Sequence, residues 1–149
     1  MSKSRRGVVL ALAVGAVFAL VVAQALAATT NWSGAGTSDT VWKMGFKKVV
    51  TSGQPTRVKD WRSRQLRFRC TDNSTFRSNT DIATPIRVSN GSFSRTSSFT
   101  NGNVKVSYTI SGHFNGQTAT GIYKEKRSLV SDPSTSCASA QQPWRAHKQ

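Results

Sequence analysis

The residues of this sequence that could do chemistry are mostly cations. Lysine and arginine total 21 of the 149 residues, against 6 aspartates and glutamates, so the formal charge is +15. Arginine binds carboxylate and phosphate oxygens bidentately, and a chain this basic attracts polyanions. Two groups of cations are the predicted binding residues for an anionic partner: Arg57, Lys59, Arg62, Arg64, Arg67, Arg69, Lys105, Lys124 and Lys126.

The second group, which consists of Lys105, Lys124 and Lys126, carries a specific prediction about charge. If Asn115 and Gly116 form a two-residue turn, Lys105 lies directly opposite Lys126 across the hairpin. Like charges in that position are destabilising, so either the strands fray there or an anion bridges the two lysines. The alternative for both groups is an ordinary solvated surface that keeps the protein soluble.

Catalytic chemistry has few candidates. No G-x-S-x-G, H-E-x-x-H or P-loop motif occurs, and two histidines with two cysteines do not supply a zinc site. A glycosidase pair could still assemble in space, so an extracellular hydrolase remains the alternative to a binding protein. The sequence predicts no catalytic residue, no metal and no cofactor. The carboxylates are Asp39, Asp60, Asp72, Asp81, Glu125 and Asp132.

The four tryptophans offer a different kind of binding chemistry. Trp32, Trp42, Trp61 and Trp144 could form a platform on which sugars stack. Large aromatic side chains more often fill the core of a β-protein. Core packing is therefore the favoured interpretation.

The first cationic group lies on a predicted strand. Leu66, Phe68 and Cys70 share one parity, while Arg67 and Arg69 take the other. This alternation indicates a strand with an apolar inner face and an arginine outer face. A similar alternation over Val41 to Val50 indicates a second half-buried strand.

The C-terminal half is punctuated by Asn-Gly pairs at 90–91, 101–102 and 115–116. Asn-Gly between alternating apolar runs is a strong hairpin signal, because both residues tolerate the positive φ of a type I′ turn. Two-residue turns at these pairs predict Val88 opposite Phe93, Phe99 opposite Val104, and Gly112 opposite Ala119. Because every such pair falls on one apolar face, the segment is predicted to be a meander with one buried side.

Two features of that buried side need an explanation. Arg95 and Ser97 would point inward, so either a bulge shifts the parity or this segment is an edge. The small residues at 112, 119 and 121 leave a shallow patch. A large side chain from an opposing sheet could fill it, and Trp42 or Trp61 are the candidates.

The N-terminus has the pattern of a secretory signal. Lys3, Arg5 and Arg6 precede a long apolar run, and Ala25-Leu26-Ala27 matches a signal-peptidase site. Cleavage after Ala27 would lower the formal charge by the three cations, from +15 to +12. The alternative is an uncleaved membrane anchor. In an exported chain, an even cysteine count argues for one disulfide, between Cys70 and Cys137.

The segments that define the layout are Trp32 to Ser38, Val41 to Phe46, Leu66 to Cys70, Asn90 to Ser94, Ile110 to Gly121, and Cys137 with Trp144 and Ala146. This layout resembles a type of small secreted all-β domain of uncharacterised function that is common in actinobacteria. The resemblance implies the fold and the single disulfide, and it implies no active site. It covers nearly all of the chain after the signal.

Together these observations predict a signal peptide over 1–27 and one domain over 28–149. No helical periodicity occurs in the domain, so the predicted fold is all-β, an antiparallel β-sandwich or flattened barrel with a C-terminal meander of Asn-Gly hairpins. The predicted function is non-enzymatic binding at or outside the cell envelope. The predicted partners are an anionic polysaccharide, a wall polymer or a lipid surface. Nucleic acid is not favoured, because no aromatic motif accompanies the basic strand.

Overall fold

The computed structural model describes residues 26–149. Nearly all of the predicted signal peptide lies outside these residues, and the first strand begins at Ala28, directly after the predicted cleavage site. Within the described range, no helix has the length and hydrophobicity to cross a lipid bilayer.

All regular structure in the described chain is β, as predicted. The strands are β1 (Ala28–Gly36), β2 (Lys43–Thr51), β3 (Gln54–Cys70), β4 (Thr75–Ile82), β5 (Ile86–Ser89), β6 (Ser92–Asn101), β7 (Val104–Asn115), β8 (Thr118–Leu129), β9 (Ser136–Ala138) and β10 (Gln142–Lys148). Every strand pair is antiparallel, and the pairings run β10–β1–β2–β3–β5–β6–β7–β8 and then from β8 back to β10, so they form a ring.

Two strands attach to this ring from outside its circuit. Among residues 26–149, β4 pairs only with the second half of β3. β9 pairs with the end of β3 on one side and with β8 on the other. The predicted disulfide is confirmed: Cys70 and Cys137 are bonded at the point where β3 meets β9.

The interior of the ring is filled by aromatic side chains. All four tryptophans are at most 2% exposed, which confirms core packing and excludes a surface platform for sugars. Phe46 lies among them, stacked on Trp32 and Trp61 with ring centroids 5.8 and 5.6 Å away. Stacked and edge-on aromatic pairs of this kind add stability beyond the area they bury.

The shallow patch predicted on the meander exists, but a different tryptophan fills it. A Cβ at Gly112 or Gly121 would lie 2.7 or 2.5 Å from Cζ2 of Trp144. The prediction of Trp42 or Trp61 was wrong because β10 pairs with β8 and carries Trp144 directly opposite Gly121.

The three Asn-Gly hairpins are present, but two of their turns begin one residue later than predicted. Asn90-Gly91 forms the expected turn, with φ of 49° and 73° and Val88 opposite Phe93. In the other two, Gly102 and Gly116 take the first turn position with φ of 58° and 60°, the glycine placement of a type II′ turn.

Partners in these two hairpins are therefore displaced by two residues. Phe99 pairs with Val106, and Gly112 pairs with Gly121. An even displacement keeps every side chain on its predicted face. The register from Ser92 to Asn101 is regular, so no bulge shifts the parity of Arg95 and Ser97. Within the described chain, β5 pairs with β6 only as far as Phe93, so the rest of β6 is an edge at which these two polar side chains can point inward.

Candidate anion-binding surface

Two bulges in β3 decide which way its charges point. Strict alternation from the buried Val58 would turn Arg62 and Arg64 inward. The chain instead has irregular register and positive φ at Asp60 and Gln65. The first irregularity turns Trp61 and Ser63 into the core, and the second returns the strand to its original parity. All six predicted cations of β3 consequently lie on its outer side.

Neighbouring strands add further cations to this surface. Four residues of β3 each stand directly opposite a like charge, on β2, β4 or β5. Direct opposition of like charges destabilises a sheet, typically by about 0.2–1 kcal/mol per pair. The four pairs are Arg57 with Arg87, Lys59 with Lys47, Arg64 with Lys43, and Arg67 with Arg77. The outward cations of β3 and these four partners are called the β3 face below.

The sequence prediction did not include Lys43, Lys47, Arg77 and Arg87. No local motif marks them, because each lies on another strand and the strand register alone sets its position opposite a cation of β3. The alternation over Val41 to Val50 was the one available signal, because it placed Lys43 and Lys47 on the outward side of β2.

Three aspartates offset part of this charge. The ion pairs are Lys47 with Asp60 at 2.8 Å, Arg64 with Asp81 at 2.6 Å, and Arg77 with Asp39 at 2.9 Å. The hydrogen bond from Arg77 is the main cause that lowers the pKa of Asp39. The hydrogen bond from Lys47 likewise lowers the pKa of Asp60. Both carboxylates are therefore ionised at neutral pH, and the β3 face still carries a net positive charge.

The second predicted group of cations is arranged differently from the prediction. Because the turn residues are Gly116 and Gln117, Lys105 lies opposite Ser128 and Lys126 lies opposite Ser107. The predicted opposition of Lys105 and Lys126, and the anion bridge that it suggested, were wrong. Lys105, Lys124 and Lys126 are exposed.

One of these lysines is nevertheless connected to the β3 face. Ala138 of β9 pairs with Arg69 on one side and with Lys126 on the other. Directly paired residues point to the same side of a sheet, so Lys126 continues the line of outward-facing cations beyond Arg69. The two residues are about 10 Å apart, which is two strand spacings. Lys105 and Lys124 pair only with serine and threonine.

A cleft opens at the end of the β3 face. On one side of β3, β2 ends its pairing at Arg64 and β9 begins at Arg69, so the intervening edge has no strand neighbour within the described chain. A space of about 620 Å³ occupies this gap between β3, β4, the β1–β2 loop and the start of β10. Its polar lining includes Asp39, Arg67, Arg69, Asn73, Arg77 and Gln142.

A second charged cluster lies inside the ring and was not predicted. Glu125 is fully buried and accepts hydrogen bonds from Tyr123 Oη at 2.6 Å and Thr80 Oγ1 at 2.9 Å. Arg127 donates to it from Nε at 2.8 Å and lies over the ring of Phe68. Burial and the Glu125 charge raise the pKa of Tyr123 well above its usual value. The sequence did contain a signal for this cluster, because Tyr123, Glu125 and Arg127 are alternate residues of one strand and therefore point to the same face.

The remaining carboxylates have local roles. Asp72 and Asp132 accept hydrogen bonds from Ser74 and Ser134, which lower the pKa of each aspartate and close the loops around them. In the described range, no group of three or more histidine, cysteine, aspartate or glutamate side chains is placed to hold a metal ion.

Comparison of the chain with protein-family models, with curated proteins and with solved structures found no match. The resemblance to small secreted actinobacterial domains and the alternative of an extracellular hydrolase therefore stay predictions.

Proposed function

We propose that this chain is a secreted, non-enzymatic binding domain that attaches to anionic polymers or surfaces at or outside the cell envelope through its β3 face. The observation that carries the proposal is the set of four like-charge pairs along β3. Folding alone gains nothing from such pairs. In three of the pairs an aspartate offsets one member, and the other member has no ion pair within residues 26–149. A bound polyanion would place negative charge beside these remaining cations and beside Arg57 and Arg87.

The length of the β3 face favours a polymer over a small ion. From Arg57 to Arg69 the strand extends over roughly 40 Å at its usual rise per residue. Cations on alternate residues recur every 7 Å or so. A linear polymer with regularly repeated carboxylate, sulfate or phosphate groups could contact several of them at once, and each contact would release a bound counterion.

Among polyanions, acidic polysaccharides, wall polymers and anionic lipid surfaces fit better than nucleic acid. Proteins that bind single strands of nucleic acid stack bases on exposed aromatic rings. The partly exposed Phe76 stacks on the inward-facing Phe68 rather than standing among the β3 cations. The cystine and the predicted signal support an oxidising location outside the cytoplasm.

Retention on immobilised heparin over a salt series tests the proposal. We expect the wild-type protein to be retained at low salt and to elute as salt rises. The double variant Arg57→Gln/Arg62→Gln should elute earlier and should lower the slope of log affinity against log salt by about one for each lost contact.

The matched control is Lys105→Gln/Lys124→Gln, which removes the same charge from strands outside the β3 face. We expect it to elute close to the wild-type protein. Equal weakening by the two double variants would mean that only net charge matters. No retention of the wild-type protein at low salt would reject polyanion binding altogether.

A further inference from the structure

We infer that the cleft at the end of the β3 face is a discrete site for a phosphate monoester carried on a polyol or sugar. The inference rests on the proposed function and deepens it. The β3 face would hold the length of an anionic polymer, and the cleft would hold a terminal phosphate or a small phosphorylated unit.

The charge of the cleft suits a dianion. Arg67 and Arg77 stand directly opposite each other on β3 and β4, and Arg69 follows on the same side of β3. Three guanidinium groups and the carboxylate of Asp39 leave a net charge of +2. A phosphate monoester carries about −1.5 to −2 near pH 7 and has three terminal oxygens as acceptors. A carboxylate has one charge and two oxygens, so it would leave one guanidinium unmatched.

The three arginines are not equally committed to the protein. Arg77 donates to Asp39 and to the carbonyl of Gln65, and Arg69 donates to the side chain of Asn73 at 3.0 Å. Arg67 forms no ion pair within residues 26–149. Two arginines are thus held in place as walls of the cleft, and the third keeps its donors for a ligand.

A buried polar group at the inner side of the cleft indicates what carries the phosphate. Gln142 lines the cleft and is only 9% exposed, and its Oε1 is buried with no hydrogen-bond partner. Buried acceptors without partners are uncommon in folded proteins. A hydroxyl group of a polyol or sugar could donate to this amide oxygen once the amide turns toward the ligand. A bare phosphate dianion offers no comparable donor.

Calorimetric titration of the whole chain with small ligands tests the inference. The ligands are glycerol 3-phosphate, inorganic phosphate, glucuronate and glycerol. We expect glycerol 3-phosphate to bind at least tenfold more tightly than inorganic phosphate or glucuronate, and glycerol to give no heat. Equal or tighter binding of glucuronate would overturn the phosphate assignment. If inorganic phosphate bound as tightly as glycerol 3-phosphate, the proposed contact between the polyol and the cleft would be overturned.

Two variants locate the binding. Arg67→Gln should weaken glycerol 3-phosphate binding at least tenfold, while Lys105→Gln, an equal change of charge outside both the cleft and the β3 face, should leave it unchanged. Gln142→Met should reduce glycerol 3-phosphate to the affinity of inorganic phosphate. Equal weakening by Lys105→Gln and Arg67→Gln would overturn the cleft as the site. An unchanged thermal transition for each variant shows that folding is intact.

The heparin experiment separates the two proposals. If wild-type protein is retained on heparin but no small phosphate ester binds, the cleft inference fails and the polymer-binding function stands. If glycerol 3-phosphate binds with the expected selectivity but heparin does not retain the protein, the cleft stands as a small-ligand site and the polymer-binding function fails.

Discussion

The β3 face and the interior cluster around Glu125 use charge in opposite ways. Inside the ring, Glu125 is completely buried, and Tyr123, Thr80 and Arg127 satisfy it at short distances. On the β3 face, four pairs of like charges stand opposite each other and three aspartates offset only part of them. The first arrangement is satisfied within the protein, whereas the second leaves like charges opposite each other. The difference separates charges that hold the fold from charges that, in our proposal, bind a partner.

Removing the buried carboxylate should have the largest effect on stability. Glu125→Ala removes a fully buried carboxylate and leaves Arg127 with only its neutral hydrogen-bond acceptors on Ser78, Asn79 and Thr80. Breaking a buried ion pair costs about 3–5 kcal/mol, and the partial exposure of Arg127 places the expected cost at about the lower end of that range. We expect a corresponding fall in the free energy of unfolding measured by urea denaturation. Asp81→Asn removes a carboxylate that is 67% exposed from its pair with Arg64, so it should cost at most about 1 kcal/mol. Equal costs would contradict the contrast between interior and surface.

The disulfide should follow in size. Replacing Cys70 and Cys137 together with serine frees β9 from the end of β3. The expected loss is about 2–5 kcal/mol, measured by the same denaturation. Because β9 also connects Arg69 to Lys126, we expect the double variant to bind heparin more weakly even where it remains folded. Unchanged heparin elution would show that the continuation of the line of cations to Lys126 is unimportant.

Filling the space next to Trp144 should have an intermediate effect. A Cβ at Gly121 would lie 2.5 Å from Trp144 and still closer to the carbonyl oxygen of Ser111. Gly121→Ala should therefore destabilise the protein by about 1–3 kcal/mol through overpacking. Gly45→Ala on β2 is the comparison, since its nearest atom would be 3.2 Å away. A neutral Gly121→Ala change would contradict the close packing of β10 on β8.

Neutralising the β3 face should change stability and binding in opposite directions. Arg87→Gln removes the charge opposite Arg57, so we expect the free energy of unfolding to rise by about 0.2–1 kcal/mol. Heparin elution should move to lower salt. Thermal unfolding and the salt series measure the two effects on the same preparation. A variant that loses stability would show that Arg87 serves the fold.

The smallest expected effect is a dependence of stability on pH. The pKa of Asp39 is lowered from its ordinary 3.8, chiefly by the hydrogen bond from Arg77. A lowered pKa contributes stability that is fully present above 3.8 and is lost as pH falls through the folded pKa. Asp39→Asn should therefore match the wild-type protein more closely in acid than at pH 7. A constant difference across that range would contradict the linkage.

Much of the fold could be predicted from the sequence because alternation fixes faces. The parity of Leu66 and Phe68 placed the arginines between and after them outward, and the Asn-Gly pairs gave the hairpins. The registers between paired strands were harder to predict. Gly102 and Gly116 can occupy either turn position, and only tertiary pairing selects one. The shift of one turn residue moved Lys105 from opposite Lys126 to opposite Ser128.

The candidate site was predictable only in part for the same reason. Six cations of β3 form a recognisable run in the sequence. Their opposing partners come from three other strands, and bulges at Asp60 and Gln65 decide their orientation. The cleft joins Arg67 to Gln142, which lies far along the chain in β10. No periodic pattern in the sequence predicts that two residues so far apart in the chain lie in the same cleft.

The most direct test of polymer binding by the β3 face is a map of amide chemical shifts during titration with a short phosphate-bearing polyol polymer. The account predicts that shifts concentrate between Arg57 and Arg69 and at their partners Lys43, Lys47, Arg77 and Arg87, and that they fade as salt is added. Shifts centred on Lys105 and Lys124, or spread evenly over all exposed lysines and arginines, would contradict it.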